Sequence, residues 1–383
     1  MKTSQRSVVD PFIVMDVMEA ARAAEEAGRD IIHMEVGQPS TGAPKLARER
    51  LVAAMETNPL GYTVGLGLPE LRKEIAAQYK TLYNVELDWN RVVITSGSSG
   101  AFLLAFTALF DAGAKVGLGE PGYPSYRQIL SALNIEPVGL PTSLENRLQP
   151  VPSDIPDGLD GLIVASPGNP SGTMLDLDAM KALVAACEEK GLTFISDEIY
   201  HGIQYEGRAV SALEVTDDVY VINSFSKYYS MTGWRIGWMV VPEDHVRTLE
   251  RLAQNMFICP SHAAQVAALG ALEAREECEA HVEVYAENRR LMMEGLPKAG
   301  FSKIAPPDGA FFIYVDVSDH TTDSKAFCDE ILEKAGVAVT PGLDFDPRRG
   351  AQTLRFSYAR STEDIREGLE RLTSFMASRL PRG

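Results

Sequence analysis

Cysteine is scarce in this chain, with four residues (Cys187, Cys259, Cys278 and Cys328) in 383. No two of them have the spacing of a zinc-ligand pair or of a disulfide framework. The six histidines are equally scattered, and no metal site is expected. Positive charge is also short: 36 lysines and arginines face 53 aspartates and glutamates, for a net charge of −17. Without a basic run, the chain is a poor partner for nucleic acid or for an anionic membrane. Long hydrophobic runs are missing too. The longest, AFLLAFTALF at 101–110, is half a membrane span. The apolar stretch that follows Lys2 and Arg6 is broken at Asp16 and Glu19, so no signal-peptide core is expected. These absences point to reducing, cytoplasmic surroundings.

What the sequence does have is alternation. From about residue 92, short β-branched runs (RVVITSG, AKVGLGEPGYP, IEPVGLP, GLIVASPGNP, LTFISDEIY, VYVINSFSK and IGWMVVP) alternate with helix-length segments. This pattern predicts an α/β fold, a three-layer domain with a mostly parallel seven-stranded sheet and helices on both faces. Beyond residue 273 come one long charged helix, the strands GAFFIYVDV, GVAVTPG and TLRFSYA, and a final helix. They predict a smaller α+β domain, onto which the N-terminal helix MDVMEAARAAEEAG is expected to pack. The expected division is 1–40 and 281–383 for the small domain, with 41–280 as the large one.

In parallel sheets, ligands bind beyond the carboxyl ends of the strands. That is where the unusual polar residues fall. SFSKYYSMTGWRIG places Lys227 at a strand end, with Ser224, Ser226 and Arg235 within twelve positions. A lysine amine deprotonated by burial or by a nearby cation forms Schiff bases, and hydroxyls with a guanidinium suit a phosphate. TSGSSGAF at 95–102 is a strand, a turn and a helix start, so Ser98 and Ser99 offer a second anion-binding element. Asp197 in FISDEIY follows a buried strand, a costly place for a carboxylate without a cation. A protonated ring nitrogen would supply that charge and remain an electron sink. Tyr200 and Asn169 could both donate to an oxygen on the same ring, and Tyr123 in EPGYPSY offers a face to stack on it. Arg355 in TLRFSYA could grip a carboxylate bidentately.

As a set, these motifs resemble the class I and II, fold-type I aminotransferases along essentially the whole chain. The resemblance implies pyridoxal 5'-phosphate as cofactor and ping-pong transfer of an amino group from an L-amino acid to a 2-oxo acid. It makes Lys227 the Schiff-base lysine and proton shuttle, places Asp197 on the pyridine nitrogen, and puts Tyr200 and Asn169 on the ring hydroxyl. It puts Ser98, Ser99, Ser224, Ser226 and Arg235 on the phosphate, Tyr123 over the ring, and Arg355 with the Gly37 backbone on the substrate carboxylate. Tyr62 in GYTVGLGLPELR would come from the second subunit of a homodimer with shared sites. No second basic residue for a distal carboxylate stands in a motif, which leaves branched, aromatic or small neutral donors open. A carbon–sulfur lyase on the same scaffold is the alternative activity, and a non-catalytic cofactor-binding regulator a remote one.

Overall fold

The computed structural model describes residues 1–379. In chain order, α1 (Ile13–Glu26), β1 (Ile32–His33), α2 (Lys45–Thr57) and α3 (Pro69–Tyr83) lead into the alternating segment. That segment runs β2 (Val92–Thr95), α4 (Gly97–Leu109), β3 (Lys115–Glu120), α5 (Pro124–Ala132), β4 (Glu136–Pro141), β5 (Gly161–Ala165), α6 (Leu177–Lys190), β6 (Thr193–Asp197), β7 (Tyr220–Ser224) and β8 (Gly237–Val240). Helices α7 (Val246–Met256), α8 (His262–Glu273) and α9 (Arg275–Lys298) follow. The chain ends with β9 (Lys303–Ile304), β10 (Phe312–Asp316), α10 (Ser324–Ala335), β11 (Val337–Ala338), β12 (Thr340–Pro341), β13 (Thr353–Ser357) and α11 (Thr362–Arg379).

The large sheet has seven strands in the order β2-β8-β7-β6-β5-β3-β4. All run the same way except β8, which is antiparallel to both of its neighbours. Both faces are buried, as the β-branched runs require. Along a strand, successive side chains point to opposite faces. Accordingly Val92, Ile94, Leu162, Val164 and Val221 pack in one core cluster, while Val93, Ile163 and Ile222 pack in another. Helix α4 is apolar around most of its circumference and packs into the second of these cores. The ends of α6 follow from local chemistry. The Asp176 carboxylate accepts the Ala179 N–H at 2.8 Å, and Gly191 takes the left-handed conformation that closes the helix.

The second body is an antiparallel sheet of order β12-β13-β10-β9, with α9, α10 and α11 against it. Strand β1 pairs in parallel with β11, Ile32 opposite Val337 and His33 opposite Ala338, so the N-terminal segment joins the C-terminal one. The run GVAVTPG is not one strand. It divides at Val339, where β11 serves β1 and β12 serves β13. Helix α9 runs unbroken through residue 280. No helix among the described residues is long and apolar enough to cross a membrane.

Candidate active site

The carboxyl ends of β2, β3, β5, β6 and β7 converge on a cavity of about 240 Å³. Ser98 and Ser99 reach it from the first turn of α4, and Tyr123 from the residue before α5. Asn169 comes from the loop after β5, Asp197 from the last position of β6, and Ser226 and Lys227 from the loop between β7 and β8. Gly37, Tyr200, Arg235 and Arg355 complete the expected set on its walls.

The electrostatics follow from burial. The Lys227 Nζ donates to the Gly37 carbonyl at 2.7 Å. Burial, then the guanidiniums of Arg355 and Arg235, bring its amine down to about 8, against the pull of Asp197. Burial raises the Asp197 carboxyl to about 6, opposed by the Tyr126 hydroxyl, the Ile199 N–H and the charge of Lys227. Tyr126 donates its hydroxyl to Asp197 Oδ2, and the Ile199 N–H donates to Oδ1 at 3.1 Å. Burial holds the Tyr200 phenol well above its usual range, with its ring set edge-on to Phe311 and Phe312.

Arg355 is buried on β13 and donates to Asn169 Oδ1 at 3.0 Å and to the Glu35 carbonyl at 2.5 Å. Its Nε has no partner among the described residues. Burial lowers its guanidinium to about 10. Arg235 lies in the left-handed region at φ 52°. Its guanidinium fills the space beside Gly97, where a Cβ would meet Nη2 at 2.4 Å. Gly97 itself has φ +71°, so two reasons require glycine there. A Cβ on Gly237 would meet the Asn223 carbonyl at 2.8 Å, whereas one on Gly233 would meet nothing within 4 Å. Only the first of these two glycines is therefore demanded by close packing, against the backbone of Asn223 and of the α4 start.

Two expected residues stand elsewhere. Ser224 does not line the cavity: it is buried behind Ser226, to whose Oγ it donates at 2.8 Å, because the last residue of β7 points back toward the Ile236 carbonyl just before β8. Tyr62, which the resemblance assigns to the site of a second subunit, is 83% exposed and does not line this chain's own cavity.

Sequence reasoning also missed residues that the structure brings in. Tyr126 stood at the end of the EPGYPSY run, and its pairing with Asp197 joins two segments that a linear reading keeps apart. Thr232 and Gln38 line the walls. Phe12 together with Val14, Met15 and Met18 of α1 forms an apolar roof. The signal for that roof was there. Val14, Val17 and Ala21 form the buried stripe of α1, so Phe12, Met15 and Met18, three apart, are a second apolar stripe that needed its own contact. The helix is placed over the cavity by Asp344, whose carboxylate accepts the Ile13 N–H at 2.9 Å and the Val14 N–H at 2.8 Å.

A half-buried, deprotonation-prone lysine between a carboxylate and two guanidiniums is suited to carbonyl chemistry on an anionic substrate. Comparisons with known proteins agree. The family model for aminotransferase class I and II matches residues 29–372. The valine–pyruvate aminotransferase of Mycobacterium tuberculosis is 44% identical over 384 aligned positions, covering 98% of this chain and 99% of that one. A solved structure from Silicibacter pomeroyi is 68% identical with a TM-score of 0.95, covering 99% and 100% of the two chains. The aspartate aminotransferase of Thermus thermophilus, solved with maleate, is 30% identical with a TM-score of 0.91, covering 98% and 100%. The lysine at the end of β7, the carboxylate at the end of β6 and the arginine of β13 thus lie in a protein that belongs to the class I and II aminotransferases and catalyses amino-group transfer.

Proposed function

We propose that the cavity holds pyridoxal 5'-phosphate, bound covalently through Lys227, and that the amino donor is an L-amino acid with an aliphatic side chain. The observation that carries the reading is the state of Lys227. It is half-buried in the loop after β7, its Nζ donates to the Gly37 carbonyl at 2.7 Å, and desolvation with the nearby Arg355 and Arg235 brings its amine down to about 8, toward the neutral, nucleophilic form. The remaining walls fit the same group. Ser98 and Ser99 on the first turn of α4, with Ser226, Thr232 and Arg235, make a cradle for a phosphate. Asp197, buried without an ion-pair partner, suits a protonated ring nitrogen. Tyr200 and Asn169 suit the ring hydroxyl, and Tyr123 the ring face. When bound, the cofactor supplies an electron sink conjugated to the substrate's amine carbon.

The chain's own groups do the rest. Lys227 Nζ takes the proton from the substrate Cα and later returns one, a shuttle that its lowered pKa permits. Arg355, with its unpartnered Nε, orients the α-carboxylate. The roof that Phe12 and α1 form over the cavity excludes water and accepts the side chain. Lys227, Arg235 and Arg355 are the only cations among the described lining residues. All three already have a task, so nothing from this chain awaits a distal carboxylate. The apolar roof and the likeness to a valine–pyruvate enzyme therefore favour aliphatic donors, and the names of the relatives favour transfer over the lyase reaction.

A homodimer is part of the proposal. Tyr62 and Val64 on one loop, and Met256 at the end of α7 with Ile258 on the loop after it, are exposed, and the two segments are joined by the bond from the Thr63 N–H to Cys259 Sγ at 3.4 Å. An apolar patch of this kind suits a second copy, with Tyr62 of the partner subunit completing the phosphate cradle. The pairing of β1 with β11 supports the division into a body of residues 1–40 and 281–383 and another of 41–280. Four free cysteines support a reducing, cytoplasmic setting. Borohydride reduction of the holoenzyme, digestion and mass analysis should place a pyridoxyl group on Lys227. Labelling at another lysine would overturn the assignment. A screen of half-reactions should then rank valine and alanine above aspartate.

A further inference from the structure

A second and larger cavity, of about 610 Å³, shares no lining residue with the catalytic one. Its walls are aromatic: Tyr79 and Tyr83 from the C-terminal half of α3, Tyr228 and Tyr229 directly after Lys227, and Trp238 of β8. Volume and lining are those of a small-molecule site.

Two buried groups point hydrogen-bond donors at it. Asn223 on β7 is 6% exposed, and its Oδ1 accepts the Ser224 N–H at 2.7 Å. Its amide NH2 makes no hydrogen bond among the described residues. Tyr79 is 3% exposed and accepts from Trp238 Nε1 at 3.1 Å, which leaves the phenol proton without an acceptor. Both residues line the open cavity, so these two donors are free to take an acceptor that enters it.

The charges at the mouth decide the ligand's charge. Arg208 already holds both oxygens of Glu214 at 2.7 Å. Arg275 lies 3.6 Å from Glu279 Oε1, which also accepts the Tyr228 hydroxyl at 2.8 Å. His201 offers no charge. Its Nε2 pairs with the Ser166 carbonyl at 2.9 Å and its Nδ1 with the Tyr83 hydroxyl at 2.7 Å, an arrangement that suits the neutral ring. An anion entering here would find Arg208 already paired and Arg275 out in solvent at the mouth, 66% exposed, where its charge is screened, and it would meet Glu279.

We propose that this cavity is a binding site for a small, neutral, planar aromatic molecule carrying a hydrogen-bond acceptor such as a carboxamide or ring carbonyl. The ring lies among the tyrosines and the acceptor takes the Asn223 and Tyr79 donors. Nothing in this inference depends on the cofactor or on the donor amino acid. The position in the chain sets it apart from the loop that bears Tyr62, since Tyr79 and Tyr83 stand roughly 15 and 21 Å along α3 from the end of the helix nearest that loop.

Benzamide and benzoate are matched in shape and differ in charge, and so test the proposal directly. Calorimetric or ligand-observed NMR titration of the holoenzyme should give benzamide a Kd of about 1 mM or tighter, as expected for a well-seated fragment. Benzoate can also seat on Arg355, so both titrations are repeated on Arg355→Met holoenzyme, where benzoate should bind at least about tenfold more weakly than benzamide. Gln78→Trp fills the space and should abolish benzamide binding. Tyr79→Phe removes one hydroxyl and should weaken binding several-fold with the fold intact. No benzamide binding at about 10 mM, benzoate bound as well as benzamide, or benzamide unaffected by both variants would each overturn the proposal.

Discussion

Substituting His33 by glutamine should remove a pH-dependent part of the hold on the N-terminal segment. In the structure both ring nitrogens of His33 face carboxylates, Nδ1 at 2.8 Å from Glu35 Oε1 and Nε2 at 3.0 Å from Glu25 Oε1. Only the doubly protonated ring can donate to both. The Glu35 hydrogen bond is the main cause that raises the imidazolium from 6.5 to about 8, with burial opposing it and Glu25 adding to it. Since one unit of pKa is 1.36 kcal/mol, the shift is worth about 2 kcal/mol. Most of this belongs to the Glu35 pair, because Glu25 is 46% exposed and solvent screens it. The folded-state pKa is the higher one, so the contribution is complete below pH about 6.5 and is lost as the pH rises through about 8. Hydrogen exchange reads the hold locally, at the Ile32 and Met34 amides that bond to the Gly336 and Ala338 carbonyls at 2.8 and 2.9 Å. The ratio of wild-type to His33→Gln protection should be about thirtyfold at pH ~6 and approach one at pH ~9. A ratio that does not change with pH would refute the reasoning. The Glu35 carbonyl also anchors Arg355, so the substrate KM of the wild type should rise over the same interval.

Four further outcomes are expected. Tyr126→Phe removes a donor to a buried carboxylate, worth roughly 1.5–3 kcal/mol, so cofactor affinity, measured by fluorescence titration of the apoenzyme, should fall about ten- to a hundredfold. Because the loss of that bond pushes Asp197 further above 6, the weakening should be greatest at acid pH and fade as the pH rises. Arg355→Ala should raise KM for amino acid and oxo acid alike by roughly two orders of magnitude while the cofactor's absorbance is retained. Met18→Arg introduces a cation into the apolar roof and should move kcat/KM toward aspartate at the expense of valine. Mixing Lys227→Ala with Tyr62→Ala under subunit exchange should restore turnover in the hybrid, since one of its two sites then has neither defect. A hybrid with only the Tyr62 variant's own activity would mean that each subunit builds its site alone.

Much of the fold was legible because its signals are local. β-branched runs with both faces buried, a glycine after α6 and the polar residues at strand ends each declare themselves within a few positions. The set of residues on the cavity walls was legible for the same reason, since Lys227, Asp197, Asn169 and Arg355 stand inside motifs. What the sequence hid depends on contacts between distant segments. The pairing of Tyr126 with Asp197 links α5 to β6, and the Asp344 cap links the turn after β12 to α1 across more than three hundred positions. Ser224 illustrates a different limit. Residue type and spacing suggested a phosphate ligand, but the alternation of side chains along β7 turns its hydroxyl toward Ile236 and leaves the cavity to Ser226. The split of β11 from β12 was hidden because a run of apolar residues carries no mark of where it changes partners.

The reversed strand β8 has a mechanical consequence. Had it run parallel to β7, the connection would have needed a crossover of a dozen or more residues, usually helical, on one face of the sheet. Running antiparallel, it lets residues 225–236 return directly, with both ends sewn into adjacent strands and the interior tied by the bonds from Phe225 N–H to Ile236, Ser230 N–H to Lys227 and Met231 N–H to Phe225. The wall that carries Lys227 and Arg235 is therefore part of the chassis and cannot serve as a door. The opposite wall is a single helix, α1, fastened chiefly through the Asp344 cap, the His33 contacts and its apolar stripe. The roof is held by a cap and side-chain contacts and the wall by strand pairing, so the aim of the lysine does not depend on the roof.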